Sequence, residues 1–327
     1  MTQPSDLPAD LLAGLTAEPL FHGAAFVVRT TWYGAHGPVY DVSLERHGCS
    51  ESLRIEMFAR EPVRAARTFA MLSAWADCLR DKSGLCAWPV VAVVGDALVS
   101  APPVGERLDD LLARAARPFA RAADRAAALT GCAGAGRWLA AVHGSRPPGA
   151  PYPHEQALAL LERGLDAMTA ERGVSRALAA HLLDRARRLA RALEPGELAR
   201  VASHADFTPA RVIVGPAGIS AGDPGFSELI PDRMAGCAPL VDLASFRAAV
   251  LGASWPGALT AARRAWAAAF QAAYTGAGGR SVSSGATALF ELKHLVLMLA
   301  GRPGRVARWT GGRSRAWVLE RWLGHFG

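Results

Sequence analysis

Charge, cysteine and long apolar runs are all sparse in this sequence. Charged residues make up 20% of the 327 positions and hydrophobic residues 51%, which excludes a disordered chain and predicts a substantial buried core. The five cysteines form no C-x-x-C pair, which argues against a disulfide framework or a structural zinc site. No apolar run reaches the ~18–20 residues of a membrane span, and residues 1–10 lack the basic and apolar regions of a signal peptide. These absences predict a soluble cytoplasmic protein.

Lysine is scarce as well, and the basic charge is unevenly placed. Only Lys82 and Lys293 are lysines among the 36 basic residues. Residues 253–327 hold ten basic and two acidic residues, a net charge of +8, whereas the preceding 252 residues have a net charge of −1. This basic C-terminal segment favours an anionic partner. No recognisable nucleic-acid motif accompanies the charge, so we expect no nucleic-acid binding.

The first hundred residues have the patterns of strands with one helix. Alternating or β-branched apolar runs, separated by Gly and Pro turns, predict strands, and Pro62 at an early helical position predicts a helix. The predicted strands cover 25–33, 39–46, 52–58, 88–94 and 97–101, and the helix covers 62–79. In the third strand Leu53, Ile55 and Met57 share one face, while Arg54, Glu56 and Phe58 share the other.

After Pro102 and Pro103 the periodicity becomes helical. Helices are predicted at 118–143, 155–169, 174–193, 240–251, 257–274, 285–299 and 314–326. The exception is residues 203–224, with short β-like fragments at 211–214 and 218–220. We therefore predict an α+β, bilobal protein kinase-like fold. Its domains are a β-rich N-terminal nucleotide-binding lobe (1–101) and a helical C-terminal lobe (102–327) with the catalytic loop at 203–224.

The motif that carries chemistry lies at residues 203–214, SHADFTPARVIV. It resembles the catalytic loop of the aminoglycoside phosphotransferase / choline kinase-like family, H-G-D-x-x-x-x-N followed by a short apolar strand. His204 and Asp206 match, Ala205 replaces the glycine, and Arg211 stands at the asparagine position, where it is a candidate nucleotide-binding residue. Three further segments resemble family elements in the same order along the chain: residues 105–112, 135–143 and 239–244.

The resemblance implies a role for each residue of this motif. Asp206 would orient the acceptor hydroxyl and accept its proton, and His204 would brace the loop. Mg²⁺ needs hard oxygen ligands beside the phosphates, and Asp223 lies where the family has its metal-binding aspartate. Asp242, near the start of a helix, is interpreted as a capping or loop-anchoring residue.

The N-terminal lobe departs further from the family. The family commonly has a lysine on the third strand that holds the α- and β-phosphates, and no lysine precedes Lys82 here. Arg54 is the best substitute as a phosphate ligand, and the alternative is that Arg54 faces solvent. No glutamate occurs in the following helix to pair with it. The segment between the two lobes, residues 100–104, is the hinge, whose backbone would meet the adenine. Ser100, Ala101 and Val104 are the candidate residues, and Pro102 and Pro103 have no N–H to donate.

Two functions from different classes remain open at this point. One is an ATP- or GTP-dependent phosphotransferase acting on a hydroxyl of a small molecule, with Mg²⁺ in doubt because of Arg211. The other is a pseudokinase that binds a nucleotide or a partner. The basic C-terminal segment argues against a polycationic aminoglycoside acceptor and for an anionic or lipid-linked one. The last helix is either core-packed or a membrane- or partner-binding surface.

Overall fold

The computed structural model describes residues 6–34, 37–59, 61, 63–222, 236–252, 259–301 and 314–326. Its strands are β1 (Ala25–Tyr33), β2 (Pro38–Arg46), β3 (Cys49–Met57), β4 (Leu85–Ala87), β5 (Val90–Val94), β6 (Ala97–Ser100), β7 (Glu106–Arg107), β8 (Val212–Gly215) and β9 (Gly218–Ala221). Its helices are α1 (Ala9–Ala17), α2 (Val63–Leu79), α3 (Leu108–Ala115), α4 (Ala122–His143), α5 (His154–Ala170), α6 (Arg176–Arg191), α7 (Pro239–Gly252), α8 (Leu259–Gly276), α9 (Ser284–Leu299) and α10 (Arg315–Phe326).

These elements form two compact units. The first lies within Met1–Gly105 and Ile213–Asp223, and the second within Glu106–Val212 and Pro224–Gly327. None of the described helices is long and apolar enough to cross a membrane.

The first unit is built on a five-stranded antiparallel sheet in the order β1-β2-β3-β6-β5. Alternation along β3 buries Leu53 and Ile55 and leaves Arg54 half-buried on the opposite face. Helix α1, which the sequence patterns did not predict, packs Leu11 and Leu15 into the apolar core of this unit. Its nine residues are too few for a helical period to stand out from the neighbouring strand signals.

A smaller set of strands completes the first unit. β9 pairs in parallel with β4 and lies beside β8. Gly218 begins β9 with φ +113°, and a Cβ there would collide with the Gly84 carbonyl group. Glycine is therefore required where the hairpin meets the turn before β4.

The second unit is a helical bundle. One large apolar cluster draws residues from α5, α6, α7, α9 and α10. In α10, Val318, Leu319 and Trp322 are buried in this cluster. The last helix is therefore core-packed along this face, which was the first of the two interpretations of its pattern.

The α+β fold class predicted from the sequence is confirmed. The predicted strands and helices recur within a few residues of their predicted ends, whereas α1, α3 and the short strands β4 and β7 were not among the predicted elements. Asp223 and four of the ten basic residues of the C-terminal segment (Arg302, Arg305, Arg308 and Arg313) lie outside the described residues.

Candidate active site

The segment predicted as a catalytic loop turns sharply at its centre. Ala205 has φ +68°, a left-handed conformation that is unfavourable for a residue with a Cβ. This is the position at which the family motif has glycine, so Ala205 keeps the backbone conformation at an energetic cost. The chain then makes a 3₁₀ turn at Pro209–Arg211 and enters β8.

A buried carboxylate from α7 holds this turn in place. Asp242 is fully buried; its Oδ2 accepts the His204 N–H at 2.8 Å and its Oδ1 accepts the Phe207 N–H at 3.4 Å. The two bonds span Asp206 and fix the backbone on both sides of it. Asp242 therefore anchors the loop, which was one of its two predicted roles.

A chain of hydrogen bonds supports Asp242 from behind. His143 Nε2 lies 3.2 Å from Asp242 Oδ2, and His143 Nδ1 lies 3.0 Å from the Tyr274 hydroxyl, which also accepts the Arg280 N–H at 3.3 Å. Donor and acceptor rules then assign His143 as the Nε2–H tautomer, with the Tyr274 hydroxyl donating to Nδ1.

Electrostatics in this network favour a charged Asp242. Burial alone would raise the pKa of Asp242, but the hydrogen bond from His143 and the interactions with His204 outweigh it, so the pKa lies below its usual range. Burial raises the pKa of the Tyr274 phenol to about 12, which keeps it protonated as a donor.

Aromatic packing forms the floor of the loop. The Phe207 ring is fully buried and stacks on Trp138 with 5.4 Å between ring centroids. The His204 ring meets Phe207 edge-on at 5.4 Å and is completely buried. A residue in this position stabilises the loop, whereas a proton carrier would need access to the substrate.

Asp206 itself points out of this packing. Its side chain is 34% exposed, and its Oδ2 lies 3.4 Å from Nη2 of Arg211, whose side chain is 33% exposed. The loop thus brings the predicted catalytic aspartate and the predicted nucleotide-site arginine into one ion pair.

The described part of the chain holds one carboxylate of the predicted catalytic loop, Asp206, beside a cation. The described residues contain no group of three or more His, Cys, Asp or Glu side chains that could hold a metal ion. Arg211 places a cation beside Asp206 at the position where the family motif offers an amide oxygen. Asp223, the predicted metal ligand, lies outside the described residues.

Arg54, in the first unit, is surrounded by a carboxylate and two aromatic rings. Its Nε donates to Asp41 Oδ1 at 3.0 Å, and its guanidinium carbon lies 5.1 Å from the Trp32 ring and 5.9 Å from the Trp88 ring. An arginine held by a carboxylate and two aromatic faces has a defined direction, unlike a freely solvated one. Asp41 on β2 is thus the carboxylate partner of Arg54. Helix α2, where the resemblance led us to look for a glutamate partner, contains none.

Trp88 links Arg54 to the backbone that precedes Asp223. The Trp88 N–H donates to the Ala221 carbonyl at 3.2 Å, and any Cβ at Gly222 would collide with the Trp88 side chain. Trp88 therefore lies beside both the Arg54 guanidinium and the backbone segment that leads to Asp223, the predicted metal ligand.

The hinge offers few backbone donors. Ser100 is buried in β6, and the Ala101 N–H already donates to the Pro89 carbonyl at 3.0 Å. Pro102 and Pro103 have no N–H. Val104 follows them with 80% of its surface exposed. Ala101 can therefore contribute only its carbonyl, and Val104 supplies the next N–H along the segment.

Sequence reasoning missed several residues of these two arrangements. Asp41 faces Arg54 across adjacent strands, Trp32 reaches the same guanidinium from β1, and Tyr274 meets His143 from α8. The strand register would have shown that Asp41 opposes Arg54, because cross-strand neighbours on one face interact. No local signal identifies Tyr274, since its partner lies 131 positions away in the sequence.

No protein-family model and no curated protein matches the sequence. A solved structure assigned as a fructosamine-3-kinase from Thermobifida fusca aligns with a TM-score of 0.53 and 16% identity, over 94% of this chain and 98% of that one. Macrolide 2′-phosphotransferase MphH from Brachybacterium faecium aligns with a TM-score of 0.50 and 15% identity, over 93% and 99%.

A third solved structure gives the same result. The ADP-bound aminoglycoside phosphotransferase APH(2″)-Ib aligns with a TM-score of 0.52 and 10% identity, over 96% of this chain and 97% of that one. At identities this low the likeness establishes the fold alone. The chain has the protein kinase-like fold of the aminoglycoside and macrolide phosphotransferases, which confirms the resemblance predicted from the catalytic-loop motif.

Proposed function

We propose that the protein is a nucleotide-dependent phosphotransferase that phosphorylates a hydroxyl group of a small molecule. The observation that carries the proposal is the loop at 203–211. Its backbone is fixed on both sides of Asp206 by the buried Asp242, while the Asp206 carboxylate stays a third exposed. A carboxylate held rigidly at a surface is suited to orienting a hydroxyl group.

In this proposal Asp206 acts as the general base. Its carboxylate accepts the hydroxyl proton of the acceptor as the oxygen attacks the terminal phosphoryl group of the nucleotide. The O–H bond breaks, a new P–O bond forms, and the nucleoside diphosphate leaves with the former bridging oxygen. Arg211, paired with Asp206 in the resting protein, is proposed as a nucleotide-binding residue that neutralises charge on the phosphates.

Arg54 binds the phosphates of ATP or GTP in the same proposal. Asp41, Trp32 and Trp88 orient its guanidinium, and a guanidinium can bind a phosphate through two parallel hydrogen bonds. Ser100, Ala101 and Val104 form the adenine- or guanine-facing part of the hinge.

The test is phosphoryl transfer from radiolabelled ATP and GTP to a panel of small alcohols. Asp206→Asn should lower turnover by roughly 10²–10⁴-fold, because the base is lost while the shape of the side chain is kept. Asp184→Asn, an exposed carboxylate on α6, is the matched control and should retain full turnover. Wild-type turnover in Asp206→Asn would contradict the assignment.

A second function is favoured by one specific observation, the ion pair between Asp206 and Arg211. A cation at the asparagine position opposes Mg²⁺ binding, as expected of a pseudokinase that binds a nucleotide or a partner without transferring phosphate. In that case Arg211→Asn creates Mg²⁺-dependent nucleotide binding that the wild type lacks. If the wild type binds Mg·ATP tightly and the substitution changes nothing, Arg211 points away from the metal site and the pseudokinase function loses the observation that favours it.

The proposed acceptor is anionic or lipid-linked and is not a polycationic aminoglycoside. The support is the +8 charge of residues 253–327. Arg263 and Lys293 from this segment are buried, so they add nothing to a basic outer surface. Co-sedimentation with anionic liposomes tests the lipid-linked form, and the absence of binding at low salt would exclude it.

A further inference from the structure

Lys293 is a buried cation without a counterion among the described residues. Its side chain lies on α9 with 5% exposure, and its Nζ is 5.3 Å from the centroid of the Phe290 ring. Within the described part of the chain it makes no hydrogen bond and no ion pair. Lysine is almost never fully buried unless it is paired, because an ammonium group loses its hydration there.

Carboxylates do lie near Lys293, but each already has another partner. Burial lowers the pKa of Lys293 to about 8, and the thiol of Cys237 and the carboxylates of Asp242 and Asp206 partly oppose this shift. Asp242 is bonded to His143 and the loop amides, and Asp206 is paired with Arg211. Glu291, two residues before Lys293, accepts the Arg247 Nε–H at 2.5 Å.

The electrostatic neighbours of α9 point to the catalytic loop. Asp206 acts on Lys293 and also on the adjacent His294, whose pKa burial lowers to about 4. Both side chains therefore interact electrostatically with the Asp206 carboxylate, which we assign as the general base.

Several other buried polar atoms of the second unit also have no partner in the described residues. The Tyr152 hydroxyl is buried and unpartnered, and its ring lies 6.1 Å from Phe290, the ring that Lys293 contacts. Cys237 influences the pKa of both Tyr152 and Lys293. The hydroxyl of Ser203, which precedes His204, and the His294 Nε2 atom are buried and unpartnered as well.

These groups share a chemical preference. An ammonium and two hydroxyl groups are all hydrogen-bond donors, and unsatisfied buried donors cost free energy until an acceptor reaches them. An oxyanion supplies both the missing charge and the missing acceptor oxygens. The set is therefore suited to a carboxylate or phosphate group and unsuited to an ammonium group.

We infer that Lys293 is the acceptor-binding cation of the active site: it pairs with an oxyanion of the acceptor while the acceptor hydroxyl lies at Asp206. The inference rests on the proposed function and narrows it. The acceptor is then a small alcohol that also carries a carboxylate or phosphate group, and Tyr152 and Ser203 help to bind that group.

The two lysines of the chain permit a direct test. Protein labelled with ¹³C at lysine Cε gives one NMR signal from Lys293 and one from the exposed Lys82. Three probes that differ in their charged group are added without nucleotide: glycerol, glycerate and glycerol 3-phosphate. We expect the anionic probes to shift the Lys293 signal and raise its apparent pKa, with glycerol and Lys82 unaffected.

The comparison of the two anionic probes distinguishes their chemistry. Stronger binding of glycerate identifies a hydroxy acid as the acceptor class, and stronger binding of glycerol 3-phosphate identifies a phosphorylated alcohol. If neither anion moves the Lys293 signal more than glycerol does, the inference is overturned.

Two substitutions at Lys293 provide a second measurement. Lys293→Met should weaken binding of the anionic probe by about tenfold or more, whereas Lys293→Arg keeps the charge and should bind more tightly than the methionine variant. Lys82→Met is the matched control. Equal probe affinity in wild type and Lys293→Met would overturn the inference.

Stability separates a binding role from a structural one. Lys293→Met removes an unpaired buried charge, so without probe its Tm should rise. A lower Tm would show that the ammonium stabilises the core and would overturn the inference. Probe binding without any phosphoryl transfer from ATP would leave the lysine assignment intact and would contradict the proposed function instead, so the two failures are distinguishable.

Discussion

At the scale of single residues, Ala205 shows how this loop keeps its shape without the motif glycine. Its left-handed backbone costs an L-residue about 1–2 kcal/mol. Ala205→Gly removes that cost. Two effects oppose the gain: the buried methyl group is lost, and glycine gives the unfolded chain more conformational freedom. We expect the free energy of unfolding to stay constant or rise by up to about 1 kcal/mol, as measured by urea denaturation.

The control for this substitution is Ala238→Gly. Ala238 is also a buried loop residue, and it lies outside the left-handed region. The same change there should lower the free energy of unfolding by about 0.5–1 kcal/mol. Equal losses at the two positions would show that Ala205 is not strained.

The pKa of Lys293 gives a prediction about pH. Its value of about 8 in the folded protein lies below the ordinary 10.5, so between these values the unfolded chain binds more protons. The folded state is penalised fully below about pH 8, and the penalty is relieved as the pH rises towards 10.5. The shift corresponds to a few kcal/mol, on the order of 3.

Thermal unfolding between neutral and alkaline pH measures this effect. The stability advantage of Lys293→Met over wild type should be largest near pH 7 and should shrink as the pH rises above the folded pKa of about 8. The difference between the two proteins cancels the tyrosines and cysteines that titrate in the same range. A difference that stays constant with pH would mean that Lys293 keeps an ordinary pKa.

At the scale of elements, the close approach of α4 and α8 positions the loop. A Cβ at Gly136 would collide with the Phe270 carbonyl oxygen and would lie 2.9 Å from the Tyr274 nitrogen. The glycine therefore allows α8 to bring Tyr274 to His143, which in turn supports Asp242. Helix packing is thus connected to the loop at 203–211 through three side chains.

Gly136→Ala tests this connection. Although alanine favours a helix by about 1 kcal/mol, the forced separation of α4 and α8 should cost more, for a net loss of about 1–2 kcal/mol. Gly285→Ala in α9 is the control, because its Cβ would meet only Leu189 Cδ2 at 3.6 Å, and it should not be destabilising. A gain in stability for Gly136→Ala would mean that the two helices separate freely.

At the scale of the whole molecule, the sequence predicted the fold class and the position of the loop at 203–214 because local signals encode them. Apolar periodicity marked β3 and the long helices, and the motif at 203–214 lies in a single stretch. The environment of Arg54 and the support behind Asp242 come from partners that are distant in sequence, such as Trp88 and Tyr274. Local patterns carry no information about such contacts, and a short helix such as α1 has too few turns to stand out.

Nucleotide-induced stabilisation tests the whole molecule as a nucleotide-binding protein. A ligand that binds only the folded state raises its stability by about 2.7 kcal/mol at a hundredfold excess over Kd, so Tm reports binding without any acceptor. Adenosine tests the hinge alone, whereas ATP adds the phosphates that Arg54 is proposed to bind. In the wild type we therefore expect ATP to raise Tm more than adenosine does.

Arg54→Ala should remove most of the extra shift given by ATP and should leave the adenosine shift unchanged. The exposed Arg80→Ala is the matched control. If Arg54→Ala weakens both ligands equally, its guanidinium supports the sheet through Asp41 and does not contact the phosphates.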